Sequence, residues 1–68
     1  MQLRSRSVLA DYIRLLGLTE REFARRAGLS HSTVNHLVVG RRGRCSAKTA
    51  TAIETALGCP PGLLFSPV

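Results

Sequence analysis

Thr19-Glu20-Arg21-Glu22-Phe23-Ala24-Arg25-Arg26-Ala27-Gly28-Leu29-Ser30-His31-Ser32-Thr33-Val34-Asn35-His36-Leu37-Val38-Val39 is the stretch that decides the fold. It opens on a capping box, in which Thr19 caps a helix and Glu22 reaches back to the Thr19 amide. Phe23, Ala24 and Ala27 follow at helical spacing and face inward. Gly28 stops the helix, since it takes left-handed backbone angles at little cost. Ser30 caps a second helix at once, running from about His31 to Val39 with Val34, Leu37 and Val38 as its buried stripe. Ala24 has to be small, because helices joined by so short a turn cross closely. Leu29, Val34 and Leu37 fill the wedge that this crossing leaves.

Outward from this pair the chain keeps the same grammar. Upstream, Ser5 or Ser7 caps a helix whose apolar stripe is Val8, Leu9, Tyr12, Ile13 and Leu16, with Gly17 as its end. Downstream, Gly40 ends the second helix of the pair, and Arg41-Arg42-Gly43-Arg44 makes a basic loop. Ser46 caps another helix, with Ala50, Ile53, Ala56 and Leu57 inward and Gly58 closing it. Cys59-Pro60-Pro61-Gly62-Leu63-Leu64-Phe65 reads as a turn with a short last helix, since proline suits a first helical turn. No strand alternation and no repeat is visible. The expectation is an all-α, compact bundle of about five short helices with a central helix-turn-helix. It forms one domain over residues 1–68, with residues 1–6 as a flexible N-terminal arm.

A chain of 68 residues holds one small core. Its 44% hydrophobic content is that of a folded chain rather than a disordered one. The formal net charge of +6 favours a polyanionic partner, nucleic acid being the commonest. Nearly all of that charge is arginine, with Lys48 the one lysine, and arginine forks onto phosphates and guanine edges. No apolar run reaches membrane-spanning length, and the N-terminus has no signal core. Cys45 and Cys59 read as reduced thiols of a cytoplasmic protein.

Phe23 to Leu37 resembles the phage lambda repressor and Cro type of helix-turn-helix, also called Xre-like. The likeness extends over nearly the whole chain, through Leu57-Gly58 to Pro61 and Leu63-Leu64. It implies a lambda repressor-like DNA-binding domain whose second motif helix lies in the major groove of double-stranded DNA. The base-reading residues would be His31, Ser32 and His36, with Asn35 alongside. The burial pattern agrees: with Val34, Leu37 and Val38 inward, Ser32, His36 and Val39 face out, with His31 and Asn35 at the edge. The resemblance places Arg41, Arg42 and Arg44 along the DNA backbone or in the minor groove. Thr19, Arg21, Ser30 and Thr33 are further candidate backbone contacts, and Arg4 and Arg6 read either as an arm reaching DNA or as a disordered tail. Arg25 and Arg26 read as solvated surface. Two positions depart from the family. Glu20 stands where glutamine often touches a phosphate, and a carboxylate repels one. Cys45 stands where proline is common.

Other chemistries find little support. His31 and His36 are five apart, so they do not share a helix face as metal ligands four apart would, and no metal or cofactor is expected. Asp11, Glu20, Glu22 and Glu54 are the only acids, each read as capping or surface, and no nucleophile–base constellation appears, so an enzyme is not expected. The expected function is a sequence-specific transcription regulator of the phage or prophage repressor type, acting by covering an operator. It would dimerise weakly and mostly on DNA. Two alternatives share the motif. An antitoxin of a toxin–antitoxin pair would carry a tail to wrap its toxin, and little chain follows Phe65. A recombination or excision factor would bend DNA.

Overall fold

The computed structural model describes residues 1–68 as four helices and two very short strands. In chain order these are β1 (Gln2–Leu3), α1 (Arg6–Leu15), α2 (Glu20–Ala27), α3 (His31–Val38), α4 (Ala47–Leu57) and β2 (Phe65–Ser66). Each helix starts on a hydroxyl that accepts a hydrogen bond from a backbone amide three residues on. Ser5 caps α1, Thr19 caps α2 in a full capping box, Ser30 caps α3 and Ser46 caps α4. Gly28 closes α2 in the left-handed conformation at φ 72°, which lets α3 begin within three residues.

α2 packs across α3 and α4, and α1 lies against α3. The largest fully buried side chains are Phe23, Phe65, Leu9, Leu37, Ile53, Leu64 and Val34, so every helix and the last strand enter one core. Ala24 is buried at the α2 crossing as its size requires. In α1 only Leu9 and Ile13 of the expected stripe are buried. Tyr12 packs against the core in part, while Val8 and Leu16 stay 42% and 45% exposed.

The expected fifth helix does not form. The Leu63 amide donates to the Pro60 carbonyl, which makes a single turn. Gly62, at φ +86°, then leaves helical space, and Phe65 pairs with Leu3. Glu54 explains the stop and corrects its own surface reading: it is 5% exposed, and its Oε2 accepts from the Gly62 and Leu64 amides at 3.0 and 3.1 Å. A carboxylate taken from water needs such donors.

Residues 1–6, expected as a free arm, lie against the body. β1 pairs antiparallel with β2, Gln2 opposite Ser66 and Leu3 opposite Phe65. Its other edge meets the basic loop, where Leu3 N–H donates to Gly43 O at 2.7 Å and Cys45 N–H to Met1 O at 2.9 Å. Strand pairing was invisible in the sequence because two residues are too few to alternate.

Candidate nucleic-acid interface

α3 presents its N-terminal half to solvent because Val34 and Leu37 turn inward. His31 and Ser32 are exposed, and Asn35 and His36 are half-buried at the margins. Ser32, Thr33 and His36 form one wall of a groove of about 340 Å³; Arg42, Arg44, Ser46 and Thr49 form the other. The groove runs between α3 and the start of α4, so a basic loop and a helix N-terminus face the exposed side of α3. Unpaired backbone amides there favour an anion. The loop is tied back to α3 by the Arg42 amide, which donates to the His36 carbonyl at 3.1 Å.

The arginines beside the groove have no acidic partner. Asp11 pairs with Arg14, Glu22 sits in the α2 capping box and Glu54 is buried, so Glu20, which faces α3, is the one carboxylate on this face. The capping bond from the Thr19 amide holds the Glu22 carboxyl below its ordinary value of 4.5. Arg41, Arg42 and Arg44 are exposed and form no ion pair. Arg21 is likewise exposed and unpaired.

Glu20 resolves the first departure from the family. Its Oε1 accepts from Asn35 Nδ2 at 2.9 Å and lies 3.7 Å from His31 Nε2, so the carboxylate turns to the exposed edge of α3. This bond uses one of the two Asn35 N–H groups. The other N–H and the carbonyl remain, which is what a bidentate adenine contact needs. The Thr19, Ser30 and Thr33 hydroxyls are all occupied in capping bonds, with Ser30 Oγ and Thr33 Oγ1 only 2.8 Å apart. Cys45 lines the groove and is half-buried, and burial pushes its thiol above 9.0. No three of the His, Cys, Asp and Glu side chains gather in one place.

Arg4 and Arg6 are placed differently from the arm reading. Arg4 Nε donates to Gly62 O at 3.1 Å, and an Arg6 guanidinium nitrogen donates to Val39 O at 2.7 Å. Arg6 therefore satisfies a carbonyl at the C-terminus of α3, where a cation is favoured. Its guanidinium lies where a Cβ on Gly40 would be, and Gly40 is at φ +84°. Two features escaped the sequence reading. Glu54 carried a signal, since it lies on the buried stripe four residues after Ala50 and three before Leu57. The Glu20–Asn35 bond carried none, because it joins two helices.

A model of the family described as Helix-turn-helix matches residues 5–64, and the chain belongs to that family, as an Xre/Cro-type helix-turn-helix DNA-binding domain. Its members are typically non-catalytic, DNA-binding regulators. Neither the curated proteins nor the solved structures supply a significant match.

Proposed function

We propose that this domain is a sequence-specific regulator that reads operator DNA with the exposed edge of α3 and grips the backbone with the loop that follows. His31, Ser32, Asn35 and His36 take base edges. Arg41, Arg42 and Arg44 take phosphates or the adjoining minor groove, and Arg21, Thr19, Ser30 and Thr33 flank them. One observation carries this reading: Ser32 and His36 share a groove with Arg42 and Arg44, so a base contact and a phosphate clamp lie side by side. Arg4 and Arg6 each give one guanidinium donor to an internal carbonyl and stay exposed, so their other donors are free to reach a phosphate at the edge of this surface. Within the family the reading favoured is a phage or prophage repressor of the Cro kind, cytoplasmic, acting by covering a promoter. Leu63 and Val68, 45% and 72% exposed, are apolar surface for a weak dimer that forms on paired half-sites.

The test titrates variants against a selected duplex and random DNA at two salt concentrations. His36→Ala weakens the selected site by about 1–3 kcal/mol and leaves random binding nearly intact. Arg44→Ala weakens both alike and reduces the salt slope by about one. The reverse pattern would mean that α3 is not the reading helix.

A further inference from the structure

We propose that the two terminal strands form a splint that sets the arginine loop in place on the DNA face, with the buried Glu54 carboxylate as its anchor. The inference rests on the DNA-binding reading and concerns how its phosphate clamp is held. The loop from Gly40 to Cys45 contains two glycines and no buried side chain. By composition it is a mobile segment. Its order comes from outside. Gly43 O accepts from Leu3 N–H at 2.7 Å and Cys45 N–H donates to Met1 O at 2.9 Å, which brackets Arg44 against Gln2 in an antiparallel bridge. The fit is close, since a Cβ on Gly43 would lie 2.5 Å from Gln2 Nε2.

β1 is in turn held by the other end of the chain. Arg4 N–H donates to Leu64 O at 2.8 Å, and Leu3 lies opposite Phe65. The turn that delivers Leu64 is pinned by Glu54, whose Oε2 takes the Gly62 and Leu64 amides. A continuous set of bonds thus runs from α4 through β2 and β1 to Arg44. A loop already in place loses less freedom when it closes on a phosphate backbone. Glu54 touches no DNA in this scheme. It is a positioning residue acting through Arg44.

The experiment compares the full chain with Glu54→Ala and Glu54→Gln, below the melting temperature of all three. Amide hydrogen exchange at Leu3 and Cys45 and DNA titrations at two salt concentrations are measured together. Glu54→Ala is expected to speed exchange at both amides and to weaken selected and random duplexes alike, on the order of tenfold, with a salt slope shallower by about one. Glu54→Gln, whose single carbonyl oxygen can take both amides as Oε2 does, is expected to restore all three. If Glu54→Ala does not fold, Ser66→Pro replaces it. That change takes the N–H from the partner of Gln2 and touches no core side chain. It is expected to give the same triple effect. A purely structural role would lower the melting temperature and leave affinity and salt slope unchanged, and that result overturns the proposal. So does unchanged exchange at Leu3 and Cys45. A parent chain that binds no DNA removes the functional reading and this one with it. A parent that binds, with variants that bind equally, removes this one alone.

Discussion

The helix-turn-helix and the terminal clasp are held together over very different lengths of chain. The bonds that start α2 and α3 join Thr19 to Glu22 and Ser30 to Thr33, three residues apart in each case. The clasp is built from β1, β2 and the turn under Glu54, and its bonds reach from Arg4 to Gly62, 58 residues apart. The difference is one of entropy. A bond across three residues closes almost no loop. A bond across most of the chain forms only once the chain between is folded. The helix-turn-helix is therefore specified locally, while the strand that brackets the neighbouring loop is itself held by the least local contacts in the molecule. Phe65 links the two regions: it belongs to β2, yet it is fully buried in the core that also holds Phe23 and Val34.

The comparison breaks most severely at Phe65. Phe65→Ala is expected to cost about 3–5 kcal/mol. Small domains have only about 5–15 kcal/mol in total. The whole chain should then melt at far lower denaturant, in one transition. If helical signal persists after β1 and β2 have opened, the motif and the clasp are separate folding units, and the shared core does not couple them.

A smaller change sharpens the contrast from the local side. Ser30→Ala removes the α3 cap. It is expected to cost about 1 kcal/mol and lower the melting temperature by roughly 4–8 °C in calorimetry. The clasp amides of Leu3 and Arg4 should exchange as before at temperatures well below melting. Faster exchange there would show that the α3 cap reaches the termini.

The smallest expected effect lies in the pH dependence of α2. The Glu22 carboxyl is held below 4.5, chiefly by the Thr19 amide. Its folded value is thus depressed relative to the unfolded chain. The stability it contributes is present above about 4.5 and is lost as pH falls through the lower folded value. Glu22 is fully exposed, so the effect is slight. Glu22→Gln should remove that part of the acid limb of a stability–pH curve and leave the neutral region nearly flat. An unchanged acid limb would show that the capping bond does not persist in solution.

Much of the helical framework was legible residue by residue. Thr19, Ser30 and Ser46 cap the helices they were expected to cap, because a cap is a local competition for amides that no distant contact alters. Ala24, Val34 and Leu37 are buried as their spacing required. Legibility failed where the same residue type had two local options. Pro60-Pro61 can open a helix or a turn, and the choice fell to Glu54, on the preceding helix, and to Leu3 at the far end of the chain. Glu54 itself was misread because charge was weighed above its place on the buried stripe of α4. On the α3 face, Ser32 and Val39 point outward as their spacing required, but His31 and His36 exchange places: His31 is exposed and His36 is half-buried at the margin. The sequence did not show that Glu20 would engage Asn35, nor that Arg6 would close the end of α3.

By itself the sequence determined the four helices, the turn that angles α3 against α2, and a basic loop directly after α3. Each of these follows from hydrogen bonds and apolar spacings within one or two helical turns. The tertiary structure alone decided that the chain ends meet, that Arg4 and Arg6 serve carbonyls of the fold, and that β1 brackets Arg44. Those outcomes depend on which backbone groups remain unpaired after the helices pack, and on what lies within hydrogen-bond reach of them. That is a property of the assembled core, and no window of neighbouring residues contains it.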